Sequence, residues 1–186
     1  MTAVAPARRA RRHDPGRRDR LVDTTLAVVT ERGVSAASHR AIARAADVPL
    51  GSLTYHFSSL DELLAAAFTR HVDTVAARFD ERMRAAGDRD AVLEVLVEYL
   101  SADLLGRSGD LVLAVELYVA AARNPALRAV TQDWMTRSRR SLERHFDPVT
   151  ARELDALVEG LVLHSALSTD PMDRGQLRDA LRRFVR

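Results

Sequence analysis

The sequence of 186 residues contains no cysteine and no lysine, so all 28 of its Lys/Arg positions are arginine. Without cysteine there is no disulfide, no zinc finger and no thiol nucleophile. Without lysine there is no Gly-Lys-Ser/Thr phosphate loop and no Schiff-base catalyst. Long hydrophobic runs are missing too. The longest stretch free of Asp, Glu and Arg covers 48–60 and includes Tyr55, His56 and Ser/Thr hydroxyls. It falls short of the roughly 20 apolar residues that span a bilayer. The arginine-rich start resembles a targeting segment, but Asp23 interrupts the only apolar stretch behind it, so it is read as retained. The expectation is a soluble cytoplasmic protein with no membrane partner.

What is present points to a folded chain. Hydrophobic residues make up 47% and charged residues 29%, values close to those of globular domains. The length lies between one and two domains. Charge is uneven: residues 1–59 carry ten arginines against five acidic residues, whereas acids outnumber arginines in the remainder. Seven of the arginines fall in the first twenty positions, among Pro6, Pro15 and Gly16, with little to bury. Such a run reads as a disordered basic arm, either a solubility tail or a segment that follows a polyanion.

No segment alternates like a strand, and proline and glycine fall between periodic stretches. The spacing predicts helices over 17–32, 39–46, 50–56, 60–86, 90–105, 110–123, 126–146, 149–168 and 173–184, an all-α protein. Start signals support this: Ser59 with Glu62 as a capping box, then Asn124-Pro125, Asp147-Pro148 and Asp170-Pro171. Gly33, Gly87, Gly106 and Gly109 punctuate the ends.

The stretch 38–57, SHRAIARAADVPLGSLTYHF, places two short helices on either side of Asp47-Val48-Pro49, the turn length of a helix-turn-helix. Ile42, Val48 and Leu53 would form the small core between them, and Ala45 and Ala46 keep the approach narrow. Ser38 caps the first helix, Pro49 opens the second, and Gly51 admits a close neighbour. Ser52, Thr54, Tyr55 and His56, with Leu50, remain outward as hydrogen-bonding or aromatic groups. That edge suits a DNA groove, although two short helices of an ordinary bundle would share the spacing.

Arg40, Ile42, Ala43, Ala46, Val48, Gly51, Leu53, Tyr55, His56, Phe57 and Leu63 stand in register with a known pattern. Through them the region 17–64 resembles the N-terminal DNA-binding domain of the TetR family of bacterial transcriptional regulators. Four positions depart from it. Asp47 replaces a usual glycine, Leu50 a frequent lysine or polar residue, Thr54 a frequent tyrosine, and Leu60 a usual lysine. Asp tolerates the left-handed turn conformation that the first replacement demands. Losing the lysine removes one phosphate contact, so backbone N–H groups and the arm would carry more of the affinity.

The resemblance implies a basic arm over 1–16, a helix-turn-helix DNA-binding domain over 17–62, and a helical effector-binding and dimerisation domain over 63–186. On this reading Ser38, His39, Arg40, Leu50, Gly51, Ser52, Thr54, Tyr55 and His56 form the DNA-binding set. In the C-terminal part, the run 111–122 is apolar nearly all round and should be central, with Glu116 inside it. Glu116 would fix an effector or make a structural hydrogen bond. Phe79, Tyr99, Tyr118 and Trp134 are candidate pocket walls or plain core. The helices over 126–146 and 149–168 are the family's usual dimer elements. His164, on the second, would sense pH, bind an effector or sit satisfied at an interface.

An enzyme is the competing class. The six histidines include no pair three or four apart, and neither HExxH nor GxSxG occurs, so no catalytic residue, metal site or cofactor is expected. The functional expectation is a homodimeric repressor released from palindromic double-stranded operator DNA by a small, largely apolar effector. The alternative is a DNA-binding protein of the same fold without an inducer, architectural or protein-recruiting.

Overall fold

The computed structural model describes residues 15–104 and 108–185. Among the described residues the chain is all-α, with no strand. The helices are α1 (Arg17–Arg32), α2 (His39–Ala45), α3 (Leu50–His56), α4 (Leu60–Ala85), α5 (Arg89–Glu98), α6 (Ser108–Ala121), α7 (Pro125–Leu142), α8 (Pro148–Leu167) and α9 (Arg174–Phe184). A 3₁₀ turn, Val34–Ala36, joins α1 to α2, and a π-helical segment, Tyr99–Leu104, continues α5. Arg8, Arg9, Arg11 and Arg12 of the expected arm lie outside the described residues, as does Gly106.

The helix starts follow from their caps. Asn124 accepts from the backbone of Ala126, and Asp147 from Val149 and Thr150, each ahead of a proline in the first turn. Ser59 accepts from Glu62 N as expected, but the Glu62 carboxylate reaches Ser58 rather than Ser59, so only half of the capping box forms. Two signals behave differently. Asp170-Pro171 does not open the last helix; Asp173 does, through a reciprocal box with Gln176 that satisfies two backbone donors at once. Gly109 lies inside the first turn of α6 rather than at a boundary. The single helix expected over 90–105 is an α-helix followed by the π-helical segment.

Helix α4 is the spine, packing along α7, α1 and α6. Its first half, with Leu63, Leu64, Phe68 and Val72, belongs to one hydrophobic cluster that also holds Leu21, Ile42, Leu53, Leu113, Leu117, Leu127 and Trp134. Its second half, with Phe79 and Met83, belongs to another, with Leu93, Leu96, Leu142, Leu154, Val158 and Leu181. Each large side chain buried this way contributes roughly 1.5–3 kcal/mol. The expected domain boundary at 62/63 falls inside the first cluster, and α4 crosses it unbroken.

Polar straps fix the outer faces. Arg70 on α4 holds Asp19 and Asp23 of α1. Arg178 of α9 grips Glu94 of α5 with two bonds of 2.6 and 2.8 Å. Asp80 on α4 accepts from Ser141 and Arg144, and the Arg144 guanidinium is the main cause that holds its carboxyl down at about 2. Among the described residues no helix is long and apolar enough to cross a membrane.

Candidate nucleic-acid interface and effector cavity

The helix-turn-helix is built from local chemistry. Ser38 Oγ accepts from Ala41 N at 3.2 Å and starts α2. The chain then turns at Asp47, whose φ of 51° is the left-handed conformation that its side chain tolerates. Val48 N donates to Ala43 O at 3.0 Å, and Pro49 hands over to α3. Ile42 and Leu53 are fully buried between the helices, with Val48 packed against them.

What α3 leaves outside is the edge expected from the sequence, except that His56 and Ser52 are half-buried rather than outward. Tyr55 is 84% exposed and Leu50 43% exposed, and Gly51 and Thr54 are open to solvent. A Cβ at Gly51 would meet nothing within 4 Å. The Tyr55 and His56 rings meet edge to face at 5.0 Å. Ser52, however, is half-buried and accepts from Arg17 of α1 at 3.4 Å. His39 is half-buried as well, and its Nε2 has no hydrogen-bond partner among the described residues. Ser38 and Arg40 are exposed at the start of α2. Beside this edge Glu62 accepts from both the N–H and the hydroxyl of Ser58, the hydroxyl chiefly holding its carboxyl below the usual carboxylate range.

The second place of interest lies between α6, α7, α8 and the Tyr99 turn. Two adjoining clefts share Tyr99, Trp134, Val158 and Glu159. One, of about 30 Å³, adds Phe79 and Asp155; the other, of about 40 Å³, adds Leu111, Val115 and Tyr118. Each has room for only a few water molecules, well below the ~300–1,000 Å³ of a preformed ligand pocket. The Tyr118 and Trp134 rings lie parallel within 2° at 6.0 Å, and Tyr99 meets Phe79 edge-on at 5.4 Å. His71 of α4 backs Trp134 edge-on at 6.1 Å.

Of the five residues considered for an effector, the four candidate pocket walls, Phe79, Tyr99, Tyr118 and Trp134, therefore come together. The fifth does not. Glu116 lines neither cleft: its carboxylate accepts from Val34 N at 2.7 Å, at the 3₁₀ turn that leads into α2. This is the structural hydrogen bond weighed for it from the sequence. The acids at the cavity are Asp155 and Glu159 of α8, which sequence reasoning passed over. Asp155 accepts from Arg139 Nε at 3.1 Å, and Glu159 from the Tyr118 hydroxyl at 2.7 Å. Burial pushes both carboxyls above the usual range, and it pushes the Tyr118 and Tyr99 hydroxyls up as well. Asp155 and Glu159 do continue to the buried Val162 at helical spacing, a stripe that signals an inward face. His164 is exposed in the last turn of α8 and lines neither cleft. No group of metal-ligating side chains forms among the described residues.

Known proteins match both regions. The family described as bacterial regulatory proteins, tetR family, matches residues 21–67, and the family described as tetracyclin repressor-like, C-terminal domain, matches 87–186. The chain is 27% identical to the HTH-type transcriptional regulator PksA of Bacillus subtilis (strain 168), over 91% of this chain and 88% of that one. Among solved structures, SCO7518 of Streptomyces coelicolor A3(2) is 50% identical with a TM-score of 0.84, covering 91% of this chain and 98% of its own. The multidrug binding protein EbrR, solved with ethidium, is 38% identical with a TM-score of 0.77, covering 92% of this chain and 99% of its own.

Proposed function

Because the chain belongs to the TetR family of bacterial regulatory proteins, we propose that it is a homodimeric repressor that α3 of each copy seats on operator DNA and that a small effector releases. As a TetR-family regulator it carries a helix-turn-helix for DNA, and the family is not one of enzymes. The observation that carries the reading is the edge of α3: Leu50, Gly51, Thr54 and Tyr55 stand exposed on a helix whose own core is closed behind them. On this edge Tyr55 and His56 bond phosphates or base edges, and Thr54 and Leu50 meet base edges or a thymine methyl. Arg40 neutralises a phosphate, with Ser38, His39 and Ser52 beside it.

The second copy is expected on α8, where Ala156, His164 and Leu167 are exposed, Leu167 by 79%, and the space above Gly160 is open. Two-fold pairing calls for a palindromic site with half-sites about one helical turn apart. Footprinting tests this directly. Two symmetric half-sites bound by a dimer are expected, and a single asymmetric half-site bound by a monomer overturns the reading. The effector is placed at the aromatic cavity, in the cytoplasm where the operator is; ligand binding by the similar EbrR supports an effector of some kind. The small volume of the clefts favours a second reading, in which the protein binds DNA with no inducer. Release of the operator by any small molecule that also protects the protein thermally decides for the first.

A further inference from the structure

Resting on the reading of the cavity as the effector site, we propose that its ligand is a flat organic monocation and that Glu159 is the counter-charge. The balance of charge in the wall leads there. Two carboxylates line the clefts, one turn apart on α8. Asp155 already has a cation, because Arg139 Nε donates to it at 3.1 Å. Among the described residues Glu159 has only a neutral hydroxyl, that of Tyr118 at 2.7 Å. Among the described residues no arginine or histidine lines either cleft. Arg78, the cation that most favours ionisation of the Tyr99 hydroxyl, is engaged by Asp110 at 2.7 Å. One negative charge of the wall is therefore left for something from outside.

A carboxylate in such a place is costly unless paired, and a leucine or methionine would fill the same space without that cost. The surrounding surface matches a cation of one shape. The parallel faces of Tyr118 and Trp134, with Tyr99 beside them, present the negative side of their π systems, which attracts an organic cation and stacks on a flat one. The clefts share four walls, so a ligand that parts Tyr118 from Glu159 joins the two into one space and takes the place of the hydroxyl at the carboxylate. A second positive charge finds no partner, since Asp155 is taken, and an anion meets repulsion from both acids.

The test uses full-length protein without DNA and two probes of the same shape, N-methylacridinium and neutral acridine at pH 8, titrated by fluorescence and calorimetry. Wild type is expected to bind the cation roughly tenfold or more tightly than acridine, and Glu159→Gln to bring the two within about threefold of each other. Tyr118→Phe removes the competing hydroxyl and is expected to tighten the cation several-fold while leaving acridine unimproved, which keeps the test open if Glu159→Gln folds poorly. Equal affinity for the two probes in wild type, or an undiminished preference in Glu159→Gln, overturns the monocation and leaves the cavity reading intact. Failure of both probes to bind overturns the cavity reading and the monocation together.

Discussion

The helix-turn-helix end and the cavity end treat buried polar groups in opposite ways. At the first, the groups that shape the turns have partners, near or far: Ser38 caps α2, Val48 N finds Ala43 O, and Val34 N finds the distant Glu116 carboxylate, with His39 Nε2 an exception among the described residues. At the second, two acids stand among aromatic rings, and among the described residues one of them is answered only by a tyrosine hydroxyl. A surface that must hold side chains in register for DNA gains from satisfied donors, because each unmet buried one costs about 1–3 kcal/mol. A cavity meant to change occupants gains from a group that is not fully answered until the ligand arrives. Helix α6 touches both ends. Glu116 and Tyr118 are two residues apart, a spacing that puts them on different sides of a helix, and they reach Val34 and Glu159 respectively.

The largest effect expected is that of breaking the first end from within. Leu53 is fully buried between α2, α3 and α4, so Leu53→Ala should cost about 2–5 kcal/mol. Because Leu113, Leu117 and Trp134 share its cluster, urea unfolding followed by tryptophan fluorescence and by circular dichroism should still show one transition, moved to lower urea. Two separated transitions would mean that the ends fold independently and that the contrast is between domains rather than within one core.

Next in size is the bond that joins the ends. Glu116→Ala leaves Val34 N without its acceptor and should cost about 1–3 kcal/mol, while Glu116→Gln keeps an acceptor and should cost less. Gly33→Ala should mimic the loss, since its φ is 76° and an added Cβ would lie 2.9 Å from Glu116 Oε1. In operator binding these variants should weaken both the affinity and its response to effector. An Ala variant at wild-type stability with an unchanged effector response would remove α6 from the link.

These residues also mark how far the sequence could be read. The helix-turn-helix was legible because its determinants are local: a cap, a turn of three residues, a proline and a small apolar core all lie within twenty positions. Asp47, a departure from the family pattern, could even be assigned its backbone conformation, since few side chains tolerate a left-handed turn. Glu116 and Glu159 could not be sorted the same way. Both sit on mostly apolar helices, and their roles depend on Val34 and Tyr118, 82 and 41 positions away. The four aromatics were legible as inward-facing, but whether they line a space or fill one depends on how α6, α7 and α8 are set against each other. The start of α9 was placed within a residue but its signal was misassigned, because Asp170-Pro171 and Asp173 with Gln176 are both sound signals and the reciprocal box satisfies one more donor.

A smaller effect concerns charge at the DNA edge. Arg40 is exposed at the start of α2, and Arg40→Ala should weaken binding to all sequences alike, lowering the slope of log affinity against log salt by about 0.9. Thr54→Ala should instead change the preference among operators at nearly constant slope. Deleting residues 1–13 should flatten the slope further, as each phosphate neutralised by the arm adds a similar amount. Titration across a salt series separates the three, and an unchanged slope in the truncated protein would leave the arm as a solubility tail.

The smallest effect is the pH dependence left by the unanswered acid in the absence of ligand. Burial raises the Glu159 carboxyl above its ordinary value of 4.5, so the unfolded chain gives up this proton at lower pH than the folded one does. Stability from this group is therefore greatest below pH 4.5 and falls as pH rises through the raised folded value, the reverse of a paired surface carboxylate. Asp155 shifts in the same direction, again by burial, with the nearby Arg139 opposing it. Glu159→Gln cannot ionise, yet its side-chain oxygen can still accept from Tyr118, so the apo variant should match wild type at pH 4 and exceed it at pH 8. Thermal unfolding across that range reads the difference. A saturating cation should shrink it, because the ligand holds Glu159 ionised and restores to wild type what burial withheld, whereas the variant has no charge to be answered. If the variant were instead less stable at pH 8, the carboxylate would already be compensated within the fold, and the contrast between the two ends would disappear.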